Sequence, residues 1–436
     1  MTRRPDLALC RSVPRPSASA RSQTGLLWVT DPQRASLYTL LCVFMVLALG
    51  FILRPAQAEE IASAALSGVN VSNTLTDSWQ PALVAASNGT AYLAWEDEGR
   101  IYYAVGSGTT WPLSQLVEYG ESPALALDGN EMPHLVWSDY STIEGNCEIF
   151  YSQWNTNSST WSLPSNISRT SGSSSAPDIA AGPEKLYAVW VDTTSGSNEI
   201  YYAVISGTAV IDSGPITYSG GGSAPAVAVD TTGIVHAVWQ VRDWETNKFE
   251  VLYSQWDGTG WSLAENVSQS PAVDSTGPDI ALTSDGQVYV AWREALTTTT
   301  GIEGAIYCNV RQGGTWGIPF NISPETGWNA ALPALVVDGD DMPHWVWSED
   351  NGTNYRLLYG WSSGTSAAVS VLLQSTLSLQ DAALYVWTNN GQRTVHLAWA
   401  GQRTADDLAP WDVFYGSFQW RPHYIFLPMV LRNSGP

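Results

Sequence analysis

Seven short apolar runs along the chain end on a tryptophan: AYLAWED, PHLVWSD, LYAVWVD, VHAVWQV, VYVAWRE, PHWVWSE and VHLAWAG. They align without gaps on Trp95, Trp137, Trp190, Trp239, Trp292, Trp347 and Trp399, at intervals of 42 to 55 residues. Thirteen or fourteen residues before each of the first six, a proline opens another apolar run, at Pro81, Pro123, Pro177, Pro225, Pro278 and Pro333; the seventh copy has AALYV instead. A third apolar run follows each tryptophan, as in IYYAV, IFYSQW and VLYSQW, and leads into a Gly-containing turn. Runs this short, bounded by turns, are strands. Their nearly continuous apolarity means that both faces of each sheet are covered.

A fourth strand can be read beyond that turn. Trp161, Trp261 and Trp316 are each followed five residues later by Asn-(Ile/Val)-Ser, at Asn166, Asn266 and Asn321. The same tripeptide begins at Asn70, ahead of the first repeat. Four antiparallel strands repeated seven times predict an all-β fold, a seven-bladed β-propeller, with six blades as the alternative count. The displaced tripeptide predicts that the N-terminal segment supplies the fourth strand of the last blade and closes the ring, which removes two exposed sheet edges. A single closed ring of this kind is expected to be a monomer.

Composition supports strands and turns: 37 Gly, 24 Pro, 22 Trp and 19 Tyr stand beside only 8 Phe. The first 58 residues have another character. An arginine-rich stretch leads into the apolar run Leu37–Leu53, and Ala56-Gln57-Ala58 follows where signal peptides are cut. The expected organisation is a signal peptide over 1–58, a propeller over 59–420 and a C-terminal tail over 421–436. An uncleaved anchor is the alternative for the leader. Cleavage would place the protein outside the cell or on its surface, with no membrane span remaining, since Tyr424–Leu431 is too short to cross as a helix. The tail reads as an added edge strand, or as a sorting or surface-association element.

Charge narrows the partners. The leader holds seven of the 19 basic residues and two of the 41 acidic ones, so the remainder carries 12 against 39. A field of that sign repels nucleic acid and anionic membranes. Cys147 and Cys308 fall in non-adjacent repeats, so a disulfide between them is not expected.

Four of the five histidines occupy one repeat position, three residues before the tryptophan: His134, His236, His344 and His396. Tyr92, Tyr187 and Tyr289 fill it in the other repeats. Both residues offer a flat ring with a polar tip. Histidines spread over separate blades do not form one metal site, so their reading is structural.

The turn SQWDGTGW resembles the Asp box, S-x-D-x-G-x-x-W, of sialidases and BNR-repeat propellers. Ser254, Gly258 and Trp261 match, the Asp is displaced to Asp257, and Trp256 stands in its place. Blade one keeps only Gly108 and Trp111 at that spacing. The resemblance implies a sialidase-like propeller over roughly 70–420. In the enzymes of that family it would also imply three arginines on a carboxylate, a Tyr–Glu nucleophile pair and an Asp acid/base. The Arg-Ile-Pro signature of such enzymes is absent, and Arg100, Arg242 and Arg293 lie near strand ends without a recognisable motif.

One constellation remains. Two residues after the tryptophan stand Asp97, Asp139, Asp192, Glu294 and Glu349, with Val241 and Gly401 in the other repeats. The second strand ends there, so these acids, with Arg242 and Arg293, are expected to ring one mouth of the channel. They would bind Ca²⁺ or glycan hydroxyls there, or else serve as solvated loop starts. The expected function is therefore a secreted or surface-held, non-catalytic propeller that binds a glycan or a cell-surface protein. A sialidase-like glycoside hydrolase and a structural envelope component are the alternatives.

Overall fold

The computed structural model describes residues 66–420 apart from 67, 113, 156–157, 218–219, 299–300, 324–326, 363–366, 390 and 405–409, and in addition Met429–Val430. The leader, and the tail except that dipeptide, lie outside the described residues. Seven antiparallel sheets follow one another in a ring, and each runs from a first strand at the channel to a fourth at the rim. Their first strands are Ser78–Ala85, Glu121–Leu127, Ser174–Ala181, Gly222–Val229, Ser275–Leu282, Ala334–Val337 and Leu379–Asn389, which number the blades one to seven. No described residue is helical. The fold is a seven-bladed β-propeller.

The repeated shape of the first strand explains its proline. In six blades the pairing of first and second strands slips by a β-bulge, between Trp79 and Ala82, Glu121 and Ala124, Ser175 and Asp178, Ser223 and Ala226, Thr276 and Asp279, and Gln380 and Ala383. The residue inside each bulge is left-handed: Gln80, Ser122, Ala176, Ala224, Gly277 and Asp381 have φ between 48° and 59°. Proline follows it in five of the six. A bulge is where the ladder asks for no N–H, so proline costs nothing there. In blade six the strand is broken instead, into Asn329–Ala330 and Ala334–Val337.

The blade tryptophans form the cores between sheets, and Trp95, Trp137, Trp190 and Trp292 are fully buried. Farther out, the second tryptophan of a blade packs edge-on against a third-strand tyrosine of the blade before it. Trp161 meets Tyr103, Trp261 meets Tyr202, Trp316 meets Tyr253, and Trp111 meets Tyr415 across the seam from blade seven to blade one. Ring centroids lie 4.6–5.4 Å apart in these pairs. Such contacts add about 0.5–1.5 kcal/mol beyond buried area.

Ring closure follows the displaced tripeptide. Val69 pairs with Tyr415 and Asn70 with Phe414, on the strand beside Trp399. The serine of the tripeptide has a repeated task. Its Oγ accepts the backbone N–H of Ile149, Val251, Ile306 or Val413 at 2.8–2.9 Å, from Ser168, Ser268, Ser323 and Ser72 respectively. In three of the four it also donates to an acid at the start of the third strand: Glu148, Glu250 or Asp412. Asp412 is the clamp of the closing seam. It is fully buried, and it accepts from Asn70 Nδ2 at 2.9 Å, Ser72 Oγ at 3.0 Å, Thr74 N at 3.3 Å and the Arg403 guanidinium. The tail dipeptide Met429–Val430 adds a short parallel edge to the outer strand of blade six.

Candidate functional site

Second-to-third-strand loops and fourth-to-first-strand connections emerge at the same end of the ring, so that mouth gathers the acids and arginines that follow the blade tryptophans. Local donors claim them there. Asp97, Asp139, Asp192, Glu294 and Glu349 are at most 8% exposed, so they are not solvated loop starts. Asp97 accepts from Ser78 Oγ at 3.0 Å and Thr76 Oγ1 at 2.5 Å. Asp192 accepts from Ser174 Oγ at 2.8 Å and Thr170 Oγ1 at 2.7 Å. Glu294 accepts from Ser275 Oγ at 2.9 Å and from the indole of Trp292 at 2.6 Å. Glu349 takes the indole N–H of Trp347 at 2.8 Å and an ion pair with Arg356 at 2.6 Å. Asp139 accepts the N–H of Tyr140 at 2.7 Å. Each acid ties the end of its second strand to its own blade or to the chain entering it.

The arginines are engaged one by one as well. Arg242 lies over the ring of Phe249, 5.3 Å from its centroid, and donates to Asn247 Oδ1 at 2.8 Å. Arg293 donates to Ala330 O at 2.7 Å and Asn329 Oδ1 at 3.0 Å. Arg100 packs over Tyr119. These three belong to blades four, five and one and meet at no common point in the contacts they make.

Five acids in five blades, each turned toward its own donors, do not fit a shared calcium ion. Among the described residues no group of three or more His, Cys, Asp or Glu side chains is placed to hold a metal. Millimolar Ca²⁺ is therefore expected to leave the melting temperature of the purified protein unchanged. A rise that Asp139→Asn and Asp192→Asn abolish would instead assign an ion to this mouth.

The histidines serve as cross-braces. Nδ1 of His134, His236, His344 and His396 lies 2.6–2.8 Å from the hydroxyl of Tyr151, Tyr253, Tyr359 and Tyr415, on the adjacent strand of the same blade. Nε2 faces the aspartate six residues earlier, at 3.6 Å in the His134–Asp128 pair, 3.9 Å in His236–Asp230 and 3.1 Å in His344–Asp338. Burial holds all four rings below the ordinary histidine range, with His236 and His396 near about 4, so they are neutral at pH 7. Cys308 is a buried free thiol, so it makes no bond to Cys147.

Two carboxylates of another kind were missed in the sequence. Asp178 and Asp279 follow the bulge proline in blades three and five, at a register position that holds Ala82, Ala124, Ala226, Ala334 and Ala383 in the other blades. Each carboxylate reaches the first strand of the next blade: Val227 N donates to Asp178 at 2.8 Å and Leu335 N to Asp279 at 2.7 Å. Both are half-buried in the channel. Asp178 is pushed up to about 6 and Asp279 up to about 7, in both chiefly by desolvation, with the charge of Asp178 contributing to the rise at Asp279. The available signal was simple. PDIAAG and PDIALT are the first-strand runs in which an acid follows the proline.

Outside the channel, an open cleft of about 560 Å³ lies between the outer halves of blades three and four, with Tyr202, Trp239 and Trp261 among its lining residues.

No family model and no curated protein matches the chain. Among solved structures it is similar to an ulvan lyase from a new family of polysaccharide lyases, bound to -[GlcA(1-4)Rha3S]-, at 10% identity and TM-score 0.54, covering 84% of this chain and 96% of that one. It is likewise similar to the polysaccharide lyase Uly1, at 9% identity and TM-score 0.51 over 84% and 93% of the two chains. A protein of unknown function from Dyadobacter fermentans aligns at 12% identity and TM-score 0.50 over 82% and 99%. At such low identity these likenesses establish the fold, a β-propeller shared with proteins that act on glycans.

Proposed function

We propose that the chain is a propeller, exported from the cell or held at its surface, that binds glycans without cleaving them. One observation carries this reading: the polar groups at the loop-bearing mouth are consumed by internal contacts. Asp97, Asp192, Glu294 and Glu349 accept hydrogen bonds from serines, threonines, indoles and Arg356, Arg242 holds its own loop, and Arg293 holds the chain entering blade six. A sialidase-like site needs arginines convergent on one carboxylate, and these do not converge. Solved propellers that act on polysaccharides share the fold, which supports glycan as the ligand class.

A catalytic reading is favoured by one specific feature, the Asp178–Asp279 pair, because glycoside cleavage uses two carboxyl groups, one of them an acid whose pKa is raised. A single experiment separates the two. The purified full chain is screened on a glycan array, and the polysaccharides it binds are then incubated with it and analysed for new reducing ends and unsaturated products. Binding without product is expected. Product formation that Asp178→Asn or Asp279→Asn abolishes would replace the binding reading with the catalytic one. A chain that binds no glycan leaves a protein ligand or an envelope role.

A further inference from the structure

Building on the glycan-binding reading, we infer that the cleft between blades three and four is the binding site, and that its ligand is a neutral oligosaccharide. Blade three keeps the task of the tripeptide serine with Thr217, whose Oγ1 accepts the N–H of Ile200 at 2.9 Å, but it sets Gly214 and Pro215 before Ile216 and enters blade four through Gly220, Gly221 and Gly222. A Cβ added at Gly214 would touch only the ring of Tyr202, at 3.8 Å, and one at Gly260 on the facing wall would meet nothing within 4 Å. The walls stand apart because side chains that would fill the seam are missing.

The lining matches the two-sided chemistry of a sugar. Trp239, Val241 and Leu252 give an apolar floor for C–H faces. Ser213 brings a hydroxyl to one wall. Trp261 crosses the seam to Tyr202 at 5.4 Å and 69°, so the aromatic corner of the cleft is fixed before any ligand arrives. The Tyr202 hydroxyl is held by Asp212 at 3.1 Å, which sets a carboxylate acceptor beside the opening. The volume lies in the range of roughly 300–1,000 Å³ typical of small-molecule sites.

Charge decides the class of sugar. Among the described residues none that lines the cleft is basic, and the whole chain has a formal charge of −22. A uronate or sulfated chain would enter a negative field with no cation to receive it, whereas a neutral chain would not be repelled.

Calorimetry on the full chain tests this with cellohexaose, xylohexaose, maltohexaose and mannohexaose as neutral probes and an oligogalacturonate as the anionic one. At least one neutral probe is expected to bind. Gly214→Trp should weaken that binding at least tenfold with little change in melting temperature, and Gly260→Trp, on the opposite wall, should do the same should the first variant fold poorly. Trp244→Ala, an exposed residue on a loop of blade four, should bind as the parent does. Parental affinity in both tryptophan variants would overturn the cleft while leaving glycan binding in place. Preference for the oligogalacturonate would overturn the neutral class, and binding of no probe would overturn this inference and remove its support from the reading beneath it.

Discussion

With Asp178 and Asp279 both replaced by asparagine, the protein gains stability over the parent chain at pH 8, and the gain shrinks as the pH falls toward 4. Both carboxylates have folded-state pKa values above their ordinary value of 3.8, at about 6 and about 7, chiefly because burial among the first strands disfavours the charged form. The folded chain then holds more protons than the unfolded one between about pH 4 and pH 7, so this contribution to stability falls as the pH rises through that window. Each pH unit carries about 1.4 kcal/mol. With allowance for the water that reaches the channel, the two sites together cost on the order of 4 kcal/mol at pH 8. Asparagine keeps an oxygen for the N–H groups of Val227 and Leu335 and removes the charge. The four buried histidines act in the opposite sense, since their lowered pKa values withdraw stability as the pH falls below about 6.5. The readout is therefore the difference in urea midpoint between variant and parent at each pH, in which the histidines cancel. A difference that stays constant from pH 4 to 8 would show that the two carboxylates titrate normally.

Asp412→Ala is expected to loosen the ring at one place. The substitution leaves Asn70, Ser72 and the N–H of Thr74 without their shared acceptor, and Arg403 without its partner in a part-buried ion pair. Leaving these donors without their acceptor costs about 1–3 kcal/mol. The loss should also be local. Hydrogen exchange should accelerate at the amides of Val71 and Val413, which bond across the seam, while the Ile149 and Val251 amides in blades two and four keep their protection. Uniform acceleration around the ring, or none, would remove Asp412 from its place as the clamp.

The ring and its closure were legible because both are written as repetition. Period, proline and tryptophan give the blades, and the out-of-place Asn70 gives the seam. The acids after the tryptophans were legible as a position and misleading as chemistry. Their donors Ser78, Ser174 and Ser275 stand 18 or 19 residues earlier, on a strand that pairs back only in the folded sheet. Linear reading sees five carboxylates and cannot see the hydroxyls that bury them. The histidine pattern was readable for the opposite reason, since its alternation with tyrosine points to packing by itself. Asp178 and Asp279 were printed twice after a proline, yet only the bulge turns that place toward the next blade. The cleft could not be read at all, because glycines of one repeat and a tryptophan of the next create it together.

The closing seam also sets the order in which the molecule can be made. Asn70 and Asp412 are 342 residues apart in the chain, and their contact cannot form until the last blade exists. Contacts of such sequence separation slow folding, since loop entropy is lost before they repay it. A chain synthesised from its N-terminus would build six blades as a growing arc, each new sheet docking on the previous one, with Val69–Asn70 unpaired throughout. Closure is then a final, discrete event, and until it happens two raw strand edges stay open to any neighbouring chain.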